Sequence, residues 1–188
     1  GGFYSSQDAD SEGIEGKFFV WKPTEIIEIL GETEGKLVND FFGVTNNGNF
    51  EGFNILHMSK SLSTFSKENG IKEEDLEIIL LEAKSKLLKA RNLRVKPTRD
   101  EKILTSWNAL MLHAYAEAGV VLDQPKYVDI AKRNAKFILS ELYKENRLLH
   151  SYKDEKAKLN GYLEDYAFLI DGLISLHEAT FEMHWIDT

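Results

Sequence analysis

The sequence predicts a mainly α chain: helical hairpins packed as part of a ring, a partial α/α toroid, with a small β-hairpin and extended insertion near the N-terminus. Three observations predict it. Residues 162–181 are apolar nearly all the way round, and a helix of that kind must be buried on every side. Residues 125–143 before it carry a single apolar stripe, as an outer helix facing water would. Between them, Asn146-Arg147-Leu148-Leu149-His150-Ser151-Tyr152-Lys153-Asp154 is a β-prone stretch that runs into an acidic loop. It resembles the opening Gly1-Gly2-Phe3-Tyr4-Ser5-Ser6-Gln7-Asp8. Alternation of enclosed and one-sided helices fits concentric layers around a polar mouth.

The elements follow in order. Residues 3–6 and 17–21 are β-prone and joined by the polar loop 7–16, which reads as a hairpin with a loop beyond the usual ~2–5 residues. Pro23 suits the first turn of a short helix over 23–30, stopped by Gly31. A second short helix over 32–42 ends at Gly43, Asn46-Asn47-Gly48-Asn49 signals a turn, and 50–58 reads as strand or extended chain. From residue 71 the pattern lengthens. Residues 71–93 place Leu76, Ile79, Leu80, Ala83, Leu87 and Ala90 on one face of an exposed amphipathic helix, closed by Pro97. The helix over 106–122 adds Ala109, Leu112 and Ala116 to an already apolar face, so little of it need be wet. Pro125 opens the next helix. The chain thus reads as a fragment of one toroid domain over 1–188. Residues 1–70 hold the hairpin, short helices and extended insertion, and 71–188 hold the long hairpins. Each hairpin takes about 40–50 residues, so a closed ring of six needs more chain than this.

Composition excludes several classes. Hydrophobic residues at 43% and charged residues at 29% are ordinary for a globular protein. No stretch approaches the roughly 20 apolar residues of a membrane span. A net charge of −8 without a Lys/Arg block argues against nucleic acid. The absence of cysteine removes disulfides, thiolate metal sites and thiol redox chemistry, and fits a cytoplasmic setting. The opening Gly1, with no signal or transit pattern behind it, reads as a piece of a longer protein.

Four blocks carry a family resemblance. They are Gly1-Gly2-Phe3-Tyr4-Ser5-Ser6-Gln7-Asp8-Ala9-Asp10-Ser11-Glu12-Gly13 with Glu15-Gly16-Lys17-Phe18-Phe19-Val20-Trp21; Asn49-Phe50-Glu51-Gly52-Phe53-Asn54-Ile55-Leu56-His57; Arg99-Asp100-Glu101-Lys102-Ile103-Leu104-Thr105-Ser106-Trp107-Asn108; and Gly161-Tyr162-Leu163-Glu164-Asp165-Tyr166-Ala167-Phe168-Leu169-Ile170-Asp171-Gly172-Leu173. In this order they resemble the large thioredoxin-domain-containing proteins related to spermatogenesis-associated protein 20. The resemblance implies an N-terminal thioredoxin-like domain, absent from this chain, followed by an α/α toroid similar to those of six-hairpin glycosidases and N-acylglucosamine 2-epimerases. It implies no settled activity.

In such toroids the substrate funnel is built by loops at the N-terminal ends of the inner helices, where helix dipoles favour anionic and hydrogen-bonding groups. The residues at those positions are Asp8, Asp10 and Glu12; Asp100 and Glu101; Trp107 and Asn108; and Tyr162, Glu164 and Asp165. Asp8, Asp10, Glu164 and Asp165 are the candidate catalytic acids, and Trp107, Asn108 and Tyr162 the candidate substrate-binding residues. Glycoside chemistry needs two carboxyl groups about 5–10 Å apart. Sugar isomerisation instead wants a general base, often histidine, and of the five histidines only His57 and His150 fall in loop or strand. Bland readings stand beside these. Glu164 and Asp165 suit a helix first turn by dipole alone, Trp107 suits core packing, and His113 and His177 suit hydrogen-bonded core positions. Asp171, read as buried in mid-helix, needs a partner such as Arg99.

Asp8-Ala9-Asp10-Ser11-Glu12-Gly13 copies half a calcium loop, but its twelfth position is Phe19. A loop held by Asp and Ser side chains is the simpler account, and no metal or cofactor is expected. Two functions are therefore expected of the parent protein. The first is acid/base binding or processing of a carbohydrate-like ligand. The second is a non-catalytic scaffold or interaction module serving the thioredoxin-like domain. A slice of a ring leaves apolar edges bare, which predicts dimerisation of this chain.

Overall fold

The computed structural model describes residues 1–188 and is mainly α. In chain order the elements are β1 (Ser6–Gln7), β2 (Asp10–Ser11), β3 (Ile14–Glu15), α1 (Pro23–Leu30), α2 (Glu32–Phe41), α3 (Leu62–Asn69) and α4 (Glu73–Asn92). There follow β4 (Arg99–Asp100), β5 (Ile103–Leu104), α5 (Thr105–Val121), α6 (Pro125–Phe137), β6 (Tyr143–Lys144), β7 (Arg147–Lys153), β8 (Lys156–Asn160) and α7 (Leu163–Thr180). A π-helical turn, Ile138–Leu142, extends α6, and a short 3-10 turn, Met183–Trp185, follows α7. No helix is long and apolar enough to cross a membrane. The chain forms two compact units, Asp8–Thr98 and Gly1–Gln7 with Arg99–Thr188.

In the unit Asp8–Thr98, Pro23 starts α1 and Gly31, at φ 88°, turns the chain directly into α2. Helices α1, α2 and α4 close over a core of Ile26, Val38, Phe41, Phe42, Leu76 and Leu80, to which Phe65 of α3 adds an edge-on ring 5.1 Å from Phe41. Helix α3 was not legible as a helix: its sequence Leu-Ser-Thr-Phe-Ser-Lys-Glu-Asn offers only Leu62 and the buried Phe65 as apolar residues. Its ends explain it. Ser61 caps the N-terminus by accepting from the Thr64 N–H at 3.1 Å, and Gly70 ends it in the left-handed conformation. Helix α4 packs in this unit, which ends at Thr98.

The expected hairpin between residues 3–6 and 17–21 does not form. Instead β1 pairs antiparallel with β4, and the acidic stretch folds on itself as the β2–β3 hairpin. Glu12 and Gly13, both at positive φ, make its turn. Residues 50–58 form no continuous strand: Glu51 and Gly52, both at positive φ, turn the chain, and pairing is limited to single bridges, Trp21 with Asn54 and Phe50 with Phe53. Here the buried Asn54 amide does the work of a ladder. It donates to Trp21 O and Thr45 O and accepts from Thr45 N–H.

In the other unit, α5 and α6 are antiparallel, with Gly119 against Val128 at one end and Asn108 against Asn134 at the other. Helix α7 runs parallel to α5: Ser106 meets Asp165, Gly172 lies on Ala109, and His113 meets Asp171 and Ser175. The seam is tight because Gly172 has no side chain; a Cβ there would lie 3.0 Å from the Ala109 carbonyl oxygen. Strand β7 joins β5, β6 and β8 in one antiparallel sheet beside the helices.

The expectation of all-round burial is corrected. Helix α7 buries Asp165, Leu169, Gly172, Leu173 and Leu176, but Leu163 is 86% and Ile170 58% exposed, with Ile174 open beside them. Helix α5 likewise leaves Leu110 and Val121 open, with Leu122 open just beyond its end. Apolar character tells which faces a chain would cover; this unit brings enough helix to cover one face of each. Asp171 is also corrected. It is exposed, and its partner is His113, whose Nδ1 lies 2.9 Å from Oδ2.

Candidate functional site

The site is built where α5 and α7 begin. Thr105, the first residue of α5, is fully buried and donates its hydroxyl to Leu149 O at 2.5 Å, fastening the helix start to β7. One residue earlier, Leu104 pairs with Ser151. His150 lies between those two anchors, so its backbone is fixed from both sides. Across the β7–β8 ladder, whose neighbouring pairs are Leu149 with Asn160 and Ser151 with Lys158, the residue opposite His150 is Leu159. Leu159 sits at φ 63°, a left-handed conformation that costs a bulky residue about 1–3 kcal/mol.

Asp165 is the centre of the arrangement and is 0% exposed. Its Oδ1 accepts from the Ser106 N–H of α5 at 2.9 Å, and its Oδ2 accepts from the Tyr162 N–H at 2.8 Å, capping α7. The same Oδ2 lies 2.9 Å from His150 Nδ1. A carboxylate can only accept, so the proton of this contact sits on Nδ1. That leaves Nε2 as the nitrogen open to a substrate, and the His150 side chain keeps 19% exposure. The Tyr162 ring stands edge-on to the imidazole at 4.9 Å and is 57% exposed. Chemically, this is a histidine with its tautomer and orientation fixed by a buried anion, beside an exposed aromatic face.

Trp107, in the first turn of α5, is half exposed rather than buried in the core, and Glu164 is exposed in the first turn of α7. Asn108 is 1% exposed and its amide is fully used. It accepts from Phe3 N–H and the Asn134 amide, and donates to Phe3 O and Leu104 O. That assigns Asn108 to holding the N-terminal segment, through Phe3, against α5. Asp8 and Asp10 lie on the other unit, both exposed; the Asp8 carboxylate accepts from the Asp10 N–H at 3.2 Å. Ser11 donates to Val95 O, so the acidic turn is held by side chain to backbone bonds. Glu12 pairs with Lys17 and Glu101 with Arg99. Asp100 is drawn below the ordinary carboxylate range, chiefly by the Lys102 backbone N–H it accepts.

No family model matches the chain. Human spermatogenesis-associated protein 20 is 32% identical over 222 aligned residues, which cover 100% of this chain and 28% of the human protein. The chain is related to spermatogenesis-associated protein 20. The rat protein of the same name is also 32% identical with the same coverage. An uncharacterized protein of Caenorhabditis elegans is 28% identical over 208 residues, 94% of this chain. The chain thus spans 28% of the length of these relatives.

Proposed function

We propose that this chain forms part of an α/α toroid whose polar mouth performs acid/base chemistry on a carbohydrate-like molecule, with His150 as the general base. The observation that carries the reading is the His150–Asp165 pair at the meeting point of two parallel helix N-termini. Buried Asp165 fixes the Nδ1–H tautomer and steadies the imidazolium that forms when Nε2 takes a proton. Helix N-termini favour the negative charge that develops on a substrate oxygen. Tyr162 and Trp107 offer exposed ring faces of the kind that pack on sugar rings.

This arrangement favours proton abstraction beside a carbonyl over glycoside hydrolysis. Hydrolysis wants two carboxyl groups flanking the scissile bond. Asp165 instead spends its oxygens on two backbone N–H groups and an imidazole. The parallel run of α5 and α7, with α6 returning antiparallel, supports inner and outer layers of a toroid. The rest of that toroid and a thioredoxin-like domain would come from the parent protein, in the cytoplasm.

The test is deuterium incorporation from D2O into the carbon beside the carbonyl of aldoses, ketoses and N-acyl amino sugars, followed by proton NMR with the full-length protein. His150→Gln should slow exchange by about 10²–10⁴-fold with the melting temperature unchanged. Exchange at the wild-type rate in that variant, or no exchange of any sugar by the wild type, overturns the reading. A scaffold role for the toroid is favoured by a different observation, the open apolar faces of α5 and α7. It predicts a protein partner and no turnover.

A further inference from the structure

Helices α2 and α4 are joined through Glu34 and Lys86 at 3.0 Å. Between them runs a solvent-open cleft of about 750 Å³ floored by Leu37, Ile71 and Ile79. Four carboxylates rim the cleft: Glu32, Glu34, Asp40 and Glu82. Two of them are neutralised within the chain, Glu32 by Lys36 at 2.6 Å and Glu34 by Lys86. Asp40 and Glu82 have no cationic partner.

We infer that this cleft docks a basic amphipathic helix from another protein. An apolar floor alone would accept any greasy surface; the two unpaired carboxylates select the partner. An amphipathic helix puts apolar side chains at i, i+3, i+4 and i+7 into such a floor, and its flanking Lys or Arg residues reach the rim. Charge complementarity adds specificity and speeds encounter. The acidic rim disfavours a second copy of this chain. With 31 acidic against 23 basic residues, a second copy brings net negative charge to a negative rim. The inference stands apart from the chemistry at His150.

The probe is a fluorescein-labelled 18-residue peptide of leucine and lysine patterned as an amphipathic helix, with a leucine–glutamate counterpart as control. Fluorescence anisotropy should show saturable binding of the lysine peptide, weakened by added salt, and no binding of the glutamate peptide. Amide shifts in the wild-type protein should cluster on α2 and α4. Asp40→Lys with Glu82→Lys, both at exposed positions, should weaken binding at least tenfold, while Glu155→Lys in the β7–β8 turn leaves it unchanged. Binding that survives the double reversal, shifts mapping elsewhere, or no binding would overturn the inference. So would a wild-type dimer that Ile79→Glu returns to monomer, since the cleft would then belong to a second copy.

Discussion

At the scale of single residues, Asp165 has two duties that can be separated. It satisfies two backbone N–H groups at helix starts, and it holds His150. Asp165→Ala leaves both N–H groups buried without a partner, which should cost about 2–5 kcal/mol. A denaturant titration reads that loss. His150→Gln keeps the helix starts intact and should change stability by under about 1 kcal/mol. Equal losses in the two variants would make His150 a structural residue. Sequence alone brought Asp165, Tyr162 and His150 to notice, each for its own reason: first-turn acid, helix-start aromatic, strand histidine. Their convergence was not legible, because it depends on the register of β7 against β5, which places His150 one residue from the Thr105 anchor. Asn108 is the opposite case. A polar residue at a helix start looks available for a ligand, and only the fold reveals that Phe3 uses it.

At the scale of elements, the long helices were legible from apolar period and from Pro23, Gly31, Pro97 and Pro125 as punctuation. Strand β7 was legible in the β-prone stretch 146–154, whereas β1 to β5, two residues each, carry too little pattern to be read. The α5–α7 seam offers a direct test. Gly172→Val places methyl groups against the Ala109 carbonyl and Leu112, and should destabilise by about 1–3 kcal/mol, read as a lowered melting temperature. Gly13→Ala meets open space in the β2–β3 turn but must hold φ 75°, so its cost is conformational strain alone. The end of α7 titrates. The hydrogen bond from the Lys132 ammonium, with a smaller one from Trp185, holds the Glu182 carboxyl below the ordinary glutamate range. A depressed folded value means this contribution is present above the unfolded value and is lost as pH falls through the lowered one. Lys132→Met should move the Glu182 titration, followed by carbon-detected NMR, upward and shrink that acid-range loss of stability.

At the scale of the whole molecule, each unit has its own core, one around Val38 and Leu76 and the other around Leu112 and Leu176. The second leaves the apolar stripe of α7 open at Leu163, Ile170 and Ile174. Contiguous apolar surface of that kind draws partners. Sedimentation of the chain by itself should reveal concentration-dependent self-association, abolished by Ile170→Glu with Ile174→Glu; a monomer at high concentration would count against it. The stripe also explains why the all-round apolar pattern of 162–181 did not translate into burial, since the pattern describes a helix and the covering depends on what surrounds it. The account rests most heavily on a histidine oriented by a buried carboxylate. Long-range nitrogen-15 NMR of the imidazole measures that directly. Neutral His150 should carry its proton on Nδ1 with Nε2 bare, and Asp165→Asn should abolish that preference; a proton on Nε2 in the wild-type protein would contradict the account.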